Sequence, residues 1–565
     1  MNAQPIGVVA AELRRWVQAQ GGDARLAQAA GLAAHAEAEG HACIALSEHD
    51  FDAADIAALR SSPWVSTQPA SLPFVLDAAG RFYLRRNAEA EATVAQQLLA
   101  RARASAPRPA QATQWLQQLL PDAASSEQRS ALAQAFGRRL FVLAGGPGTG
   151  KTTALLALLL GLLRGGQAAG LPAQPRLALV APTGKAAARM GEAVQAGHAR
   201  LRSRLAGDAE WQPALASVAA LQPGTLHRLL RARQAADTPH GLDLDVLAVD
   251  EASMVDLALM RHLLTALRPD ATLLLLGDPD QLASVEAGSV LGDVLAAAAP
   301  ASPLGACVAR LTRSHRAGAD LAAVLTHVRD GAAAAVRAAA VQADAALTLH
   351  ASDDAAALQR VLHVWLQRHE ALYLGLLDAQ IAPAEALARL ARAQLLCALR
   401  SGPFGAQHIN GAIERWLRAR RPLPAGYWFS GRVVMITHND DQTGLRNGEI
   451  GVALGRGEAL RVHFPAAGGS TRAFQPALLP PHEPAWAITI HKAQGSEYDS
   501  VAALLPADAD SPILSRELVY TALSRARSHA ELWSGAGVLE AALARPLRRG
   551  GALRERLLAD AAPPQ

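Results

Sequence analysis

Lysine is almost absent from this chain of 565 residues, in which three lysines stand against 51 arginines. Arginine therefore serves wherever any positive charge suffices. The compact ammonium group of lysine, on its flexible stem, fits a tight phosphate site that the planar guanidinium group does not fit. Lys151, Lys185 and Lys492 each lie in a short motif that contains glycine. These three motifs are therefore the first candidates for phosphate chemistry.

Cysteine is also scarce, because the chain has three cysteines and no Cys-x-x-Cys pair. This spacing excludes a disulfide framework, a zinc ribbon and an iron–sulfur cluster, and it favours a reducing cytoplasm. The longest apolar run, 154–163, is shorter than the ~20 residues of a membrane span, and we find no secretory segment. We therefore expect a cytoplasmic protein without membrane contact. The net charge of +4 does not by itself indicate a nucleic-acid partner.

Apolar strands followed by polar motifs occur in two sets. They are predicted at 140–144, 177–180, 246–249 and 272–276, and again at 395–399, 487–490, 501–505 and 531–533. Chemistry at the carboxyl ends of buried strands is typical of a parallel α/β sheet with its site on that edge. An all-β segment inside the second set has predicted strands at 432–437, 449–454 and 460–464. We therefore expect an α/β fold with two parallel-sheet domains and a small barrel inserted in the second.

The expected domain boundaries follow from these patterns and from a proline-containing linker at 104–113. A hairpin is predicted at 73–85, and a mainly helical stretch at 320–392. The expected units are a mainly helical N-terminal module (1–108), the first α/β domain (109–308), the first part of the second (309–428), the β insert (429–480), and the remainder with a C-terminal tail (481–565).

The segment Gly145–Thr152 matches G-x-x-x-x-G-K-[ST] between a strand and a helix. Glycines let the backbone wrap phosphates, and N–H groups at the helix start point at the anion. Lys151 is expected to reach the β- and γ-phosphates, and Thr152 to ligate Mg²⁺. ATP and Mg²⁺ are therefore the expected cofactors. The remaining expected nucleotide-binding residues are Gly146, Pro147, Gly148, Thr149, Gly150 and Thr153.

Asp250 and Glu251 follow the strand at 246–249. A carboxylate at a strand tip near a P-loop is the expected second Mg²⁺ ligand, and Glu251 can act as the general base on the attacking water. A surface turn is the alternative for an isolated Asp-Glu pair. The preceding apolar strand and the upstream P-loop favour the catalytic interpretation.

Three further residues are candidates for γ-phosphate chemistry. Gln281 follows the strand at 272–276 and can sense the γ-phosphate, although an ordinary Asp-Pro turn is the alternative. Arg316 and Arg525 can supply the positive charge that accelerates phosphoryl transfer. A salt-bridge role is the alternative for either arginine.

The order of the motifs resembles that of the superfamily 1B DNA helicases. They appear as the P-loop, Ala-Pro-Thr-Gly-Lys (181–185), Thr-Leu-His-Arg (225–228), Asp-Glu-Ala-Ser (250–253), Gly-Asp-x-x-Gln (277–281), Ser-His-Arg (314–316), His-Lys-Ala-Gln-Gly-Ser-Glu (491–497) and Ala-Leu-Ser-Arg-Ala (522–526). Within that superfamily the chain resembles the RecD family, the alpha subunits of exodeoxyribonuclease V. The string at 277–293 is the part most similar to that family.

The resemblance implies an ATP-driven 5′–3′ motor on DNA with two RecA-like domains and an SH3-like barrel insert. It implies RecB-like and RecC-like partner subunits in a heterotrimer, work on single-stranded DNA and duplex ends, and a nuclease site in another subunit. Gln128 resembles the glutamine that reads adenine. Lys151, Glu251, Gln281, Arg316 and Arg525 would be catalytic. The residues that fall on DNA-contacting motifs are Pro182, Thr183, Lys185, Thr225, His227, Thr489, His491 and Lys492.

One departure from the family concerns the strand-separating hairpin. The corresponding segment, 230–245, is short, so unwinding is expected to rely on a partner. Other hypotheses are a stand-alone RecD-like helicase, a structural subunit with an inactive ATPase, and an RNA helicase of the same superfamily. The intact P-loop and acidic pair argue against the inactive subunit. A relaxase–helicase fusion is disfavoured, because the first hundred residues hold one tyrosine and no histidine triad.

Overall fold

The computed structural model describes residues 6–69, 71–235, 241–315, 319–342, 344–466 and 469–559. Its N-terminal elements are α1 (Ile6–Ala19), α2 (Ala24–Ala38), β1 (Ile44–Ala45), α3 (Ala53–Ser61), β2 (Val65–Ser66), β3 (Phe74–Leu76), β4 (Arg81–Leu84) and α4 (Arg85–Arg103). The four strands form one small sheet in the order β1-β4-β3-β2. The predicted hairpin is confirmed as the antiparallel pair β3–β4.

The first lobe is a six-stranded sheet with helices on both faces. Its elements are α5 (Ala112–Leu119), α6 (Ser126–Ala135), β5 (Leu140–Gly145), α7 (Lys151–Gly165), β6 (Leu177–Ala181), α8 (Gly184–Arg204), α9 (Gln212–Ala219), β7 (Gly224–Thr225), α10 (Leu226–Ala235), β8 (Val246–Val249), α11 (Leu257–Ala266), β9 (Thr272–Gly277), α12 (Val290–Ala297) and β10 (Val308–Leu311). All pairs are parallel, in the order β10-β5-β9-β8-β6-β7. The four predicted strands of this sheet are confirmed.

Helix α4 packs on this lobe as well as on the small N-terminal sheet, where Ala88 contacts Val75 and Tyr83. Its side chains Val94, Leu98 and Leu99 pack in one core with β5, β8, β9 and α11. The core of the first lobe therefore includes residues from Ala90 onward, before the expected boundary at 108. It also extends past 308, because β10 pairs with β5.

The second lobe repeats the parallel layout around a different core. Before the insert, its elements are α13 (Ala319–Arg329), α14 (Ala333–Ala340), β11 (Leu347–Ala351), α15 (Ala355–Arg368), α16 (Glu370–Leu376), α17 (Pro383–Leu390), β12 (Ala393–Cys397) and α18 (Ala406–Arg420). The insert consists of β13 (Val433–Ile436), β14 (Ile450–Leu454), β15 (Arg461–Pro465), β16 (Thr471–Phe474) and β17 (His482–Pro484). After the insert come β18 (Ala487–Thr489), β19 (Tyr498–Leu504), α19 (Arg516–Leu523), β20 (Ala526–Ser534) and α20 (Val538–Ala544). Its sheet has the parallel order β11-β20-β19-β12-β18.

The insert is a separate antiparallel sheet in the order β16-β15-β14-β13-β17. It has its own small core, which includes Val434, Val462 and Phe464. The three predicted strands of the insert are confirmed. The fold is therefore α/β with two RecA-like domains and a small β insert in the second.

The C-terminal strap, defined as residues 545–559, returns from the second lobe to the first. Arg516 N donates to Arg545 O at 2.9 Å within the second lobe. Arg549 Nη2 then donates to Ser284 O of the first lobe at 3.0 Å. The final helix, α21 (Leu553–Ala559), packs on α4 and α12. The C-terminal strap is therefore docked on the first lobe.

The segment Lys151–Ala169 is long and apolar enough to cross a membrane by length and composition alone. Residues 154–162 within it are buried against the first sheet and neighbouring helices, as expected for a core helix. The short segment expected in place of a strand-separating hairpin begins in α10, and its residues 236–240 lie outside the described part of the chain.

Arg101 anchors α4 to the first lobe. The residue is 2% exposed, and its guanidinium donates to Leu267 O at 2.8 Å and Ala271 O at 2.9 Å. These carbonyls lie at and just beyond the end of α11, where helix carbonyls lack partners of their own. We expect Arg101→Ala to lower the free energy of unfolding by about 2–4 kcal/mol, since it leaves buried carbonyls unpaired.

Urea unfolding measures this effect. The control is Arg85→Ala at the exposed start of the same helix, which should cost less than about 1 kcal/mol. Equal losses in the two variants would contradict the anchoring role.

Candidate active site

The loop between β5 and α7 has the geometry of an anion site. Gly148 and Gly150 lie in the left-handed region, with φ of 73° and 79°, which residues with a Cβ rarely adopt. A Cβ at Gly145 would lie 2.8 Å from Thr149 Oγ1, and that hydroxyl donates to Gly146 O at 2.9 Å. The loop ends at the N-terminus of α7, where free N–H groups stabilise bound anions.

Lys151 opens α7, and its ammonium group lies over this loop. The Nζ atom is 2.5 Å from Gly145 O and 3.1 Å from Gly146 O. Thr152 is half-buried in the same turn, and Thr153 is exposed. The ammonium group and the Thr152 hydroxyl therefore both belong to the start of α7, beside the loop.

Gln128 on α6 braces the P-loop. It is buried, and its Nε2 donates to Thr149 O at 3.0 Å. A Cβ at Gly150 would lie 2.2 Å from that nitrogen. The residue expected to read adenine therefore contacts the loop expected to bind phosphate.

The acidic pair follows β8, two strands from β5. Burial, and then the neighbouring carboxylate of Glu251, raise the pKa of Asp250 to about 6, against the opposing positive charge of Lys151. Glu251 has a φ of 52°, and its N–H donates to Asp250 Oδ1 at 2.9 Å. A non-glycine residue in the left-handed region stores strain of the kind that collects at functional sites.

Asp278 follows β9, the strand between β5 and β8. It is 0% exposed, and burial raises its pKa. Its carboxylate accepts from Gln281 Nε2 at 3.0 Å and from Asp280 N at 3.1 Å. Asp278 therefore orients Gln281. Sequence reasoning did not select Asp278, although a carboxylate directly after a buried strand beside the P-loop strand was the pattern that could have found it.

Arg525 lies just after α19 in the second lobe. It is buried, and its guanidinium donates to Thr521 O at 3.2 Å and to Ser496 O at 3.4 Å. The adjacent Ser524 Oγ accepts from Nη2 at 3.0 Å. The side chain is thus held by its own lobe. Arg316, the other candidate arginine, lies outside the described residues.

A cavity lies between the lobes at this point. P-loop residues 146–149 line one side, and Tyr520, Ser524 and Arg527 of the second lobe line the other. Around it the lobes are in direct contact, because Leu282 N donates to Thr521 Oγ1 at 2.8 Å. The P-loop and the motif that contains Arg525 therefore face the same space.

The first-lobe candidates for DNA contact occupy the far end of the sheet. Pro182 and Thr183 follow β6, and Thr225 and His227 lie at and beyond the end of β7, which is the edge strand. Thr183 caps α8, since its Oγ1 accepts from a backbone N–H of that helix at 3.2 Å. His227 is exposed. These residues are separated along the sheet edge from the P-loop, so the two candidate sites do not overlap.

The second-lobe candidates follow β18, an edge strand of its sheet. Thr489 ends that strand, and His491 and Lys492 lie in the next turn. Lys492 Nζ is 2.6 Å from Glu483 Oε1. Burial, followed by the charge of Arg549, lowers the pKa of His491. The Glu483 carboxylate would therefore compete with a DNA phosphate for the ammonium group of Lys492.

Lys185 lies closer to the junction between the lobes than its expected role in DNA binding suggests. Burial, followed by the charges of Arg189 and Arg525, lowers its pKa to about 8, against the opposing charge of Glu449. Arg189 also forms an ion pair with Glu497 of the second lobe at 2.9 Å. Lys185 thus lies near enough to Arg525 of the second lobe for the two charges to interact.

The residues near the P-loop fit a magnesium ion bound through phosphate. Among the described residues no group of three or more His, Cys, Asp and Glu side chains could hold a metal alone. Magnesium at nucleotide sites needs only one or two protein oxygens besides phosphates and waters. Thr152 and Asp250 would supply those oxygens, and a divalent cation would stabilise the buried carboxylate of Asp250, whose pKa burial raises.

Comparison with known proteins agrees with this geometry. The AAA domain family matches residues 128–287, and the UvrD-like helicase C-terminal domain family matches residues 484–532. The RecBCD enzyme subunit RecD of Mycobacterium tuberculosis is 38% identical over an alignment of 568 positions, gaps included, that spans 95% of this chain and 92% of that protein. The chain belongs to the RecD family. This confirms the family expected from the order of the motifs.

The chain is also similar to a longer helicase and to a solved structure. The ATP-dependent RecD2 DNA helicase of Deinococcus radiodurans is 32% identical, over 77% of this chain and 52% of that protein. The crystal structure of a Pif1 helicase from Bacteroides, in complex with ADP-AlF3 and ssDNA, aligns with 17% identity and a TM-score of 0.38, over 74% of this chain and 94% of that chain.

Proposed function

We propose that the chain is an ATP-dependent 5′–3′ DNA translocase and helicase, the motor subunit of a RecBCD-type helicase–nuclease that acts at duplex ends in double-strand break repair and recombination. The cavity lined by both the P-loop and the second lobe carries this proposal. A nucleotide in that cavity touches both lobes, so its binding and hydrolysis change how the lobes fit together. RecB-like and RecC-like subunits are the proposed partners.

The chemistry is ATP hydrolysis by groups from both lobes. Lys151 and the loop N–H groups bind the phosphates, and Glu251 takes the proton of the attacking water. Thr152 and Asp250 would hold Mg²⁺, which supplies neutralisation of phosphate charge. Gln281 contacts the γ-phosphate, and Arg525 moves onto it to stabilise the charge of the transition state.

The DNA track is proposed to run over the ends of β6 and β7 and past β18. Phosphate contacts carry no sequence information, so binding is indifferent to sequence and weakens as salt is raised. Movement follows when the two lobes grip the strand unequally in the closed and open states.

Displacement of streptavidin from a biotin at either end of single-stranded DNA tests the direction of movement, because this assay needs no strand separation. Displacement from a 3′ biotin with ATP is the expected result. Displacement from a 5′ biotin alone would overturn the proposal. Purification from the native cell then tests the assembly, because two larger co-purifying subunits support the complex, and a monomer would indicate a stand-alone motor.

Lys492 and Glu483 give a pair of variants with opposite expected effects on DNA binding. Lys492→Ala removes one phosphate contact, so the affinity for single-stranded DNA should fall several-fold and the salt slope should shrink by about 0.7. Glu483→Gln removes the competing carboxylate 2.6 Å from Lys492 Nζ, so affinity should rise. Fluorescence anisotropy across a salt series measures both. Effects of the same sign would contradict phosphate contact by Lys492.

A further inference from the structure

Tyr520 belongs to the second lobe, but its hydroxyl group reaches the first. The residue is 5% exposed and lies on α19, five residues before Arg525. Its hydroxyl donates to Asp278 Oδ2 at 3.2 Å. A Cβ on Gly146 would lie 3.0 Å from the hydroxyl oxygen of Tyr520. One polar group therefore touches both the loop after β9 and the P-loop.

The Asp278 carboxylate accepts one hydrogen bond from the second lobe and others from its own loop. Its carboxylate has hydrogen bonds from Tyr520, from Gln281 Nε2 and from the backbone of Asp280. A buried carboxylate that loses a donor becomes less favourable and shifts to recover one. Because Gln281 Nε2 shares Oδ2 with the tyrosine, any shift of Asp278 also turns Gln281.

The bond between Tyr520 and Asp278 exists only while the lobes are together. The neighbouring residue Thr521 accepts from Leu282 N at 2.8 Å, and Gln494 Nε2 donates to Leu282 O at 3.1 Å. These contacts join the second lobe to the loop that carries Gln281. Separation of the lobes breaks all of them together, and Asp278 then loses its donor from the second lobe.

We propose that Tyr520 is a positioning residue that holds Asp278 and Gln281 in the orientation needed for hydrolysis only while the two lobes are closed. This inference rests on the proposed function as an ATP-driven motor. It gives the tyrosine a role distinct from packing, because phenylalanine has nearly the same shape and lacks only the hydroxyl that bonds across the lobes.

Tyr520→Phe in the full-length chain tests the proposal. We expect the kcat of DNA-stimulated ATP hydrolysis to fall about tenfold, with the KM for ATP within about twofold of the parent, since the lost interaction acts in the transition state. The matched control is Tyr373→Phe, which also removes a buried hydroxyl of the second lobe, one that accepts from Trp365 Nε1 at 3.0 Å. The control should lose stability and keep its kcat.

A double-mutant cycle with Asp278→Asn separates positioning from a direct effect. If Tyr520 acts through Asp278, the double variant is no slower than Asp278→Asn alone. Additive losses, a rise in KM without a loss of kcat, or a kcat equal to that of the Tyr373 control would each overturn the inference. Failure of the proposed function is recognised separately, because Lys151→Gln would then keep its ATPase activity.

Discussion

Lys151→Gln should abolish DNA-stimulated ATP hydrolysis while the protein still folds. The ammonium group lies 2.5 Å from Gly145 O at the mouth of the anion site, and glutamine offers no positive charge to the β- and γ-phosphates. Loss of a preorganised group of this kind costs at least about 10²-fold to 10³-fold in kcat. A coupled ATPase assay with and without single-stranded DNA measures the loss.

Two controls accompany this variant. Circular dichroism and thermal unfolding should match the parent, because Lys151 is only half-buried. Arg200→Gln, at an exposed position of α8, removes the same charge away from the site and should leave turnover unchanged. Retained DNA-stimulated turnover in Lys151→Gln would refute the assigned role.

Arg525→Ala should reduce turnover by about 10³-fold, because the transition state of phosphoryl transfer loses a neutralising charge. Nucleotide binding should change by less than about threefold, since Lys151 and the loop N–H groups remain. Stopped-flow binding of a fluorescent ATP analogue and steady-state ATPase kinetics measure the two quantities. Equal loss of both would mark Arg525 as a binding residue.

The fold of this variant needs its own check, since Arg525 is buried and bonded to Thr521 O and Ser496 O. Arg525→Lys keeps a positive charge and should recover part of the turnover if charge is what matters. Arg548→Ala, at an exposed position of the C-terminal strap, is the matched control for loss of one arginine.

Strands that are buried on both faces could be predicted from the sequence. The strands β5, β8 and β9 are continuous apolar runs that end in motifs, and such runs are typical of the middle of a parallel sheet. The edge strand β11 was missed inside a stretch predicted to be mainly helical. Its residues alternate between apolar and polar, Leu-Thr-Leu-His-Ala, and the flanking alanine-rich helices hid this short pattern.

The part of the site formed by one continuous segment could also be predicted from the sequence. The P-loop is one continuous segment, so its glycines and Lys151 could be read directly. The partnership of Asp278 with Tyr520 joins residues 242 positions apart, and no periodicity reports such a contact. The docking of α4 on the first lobe was missed for the same reason. The apolar face of an amphipathic helix predicts that this face is buried, but it does not identify the element that packs on it.

The C-terminal strap has a mechanical consequence for the motor. The polypeptide passes from one lobe to the other twice, once between β10 and α13 and again between Arg545 and Arg549, which is bonded to Ser284. A body attached at two points swings most easily about the line that joins them. The two lobes are therefore expected to open by rotation about a hinge axis through both crossings. The second crossing is expected to resist sliding or twisting of one lobe relative to the other.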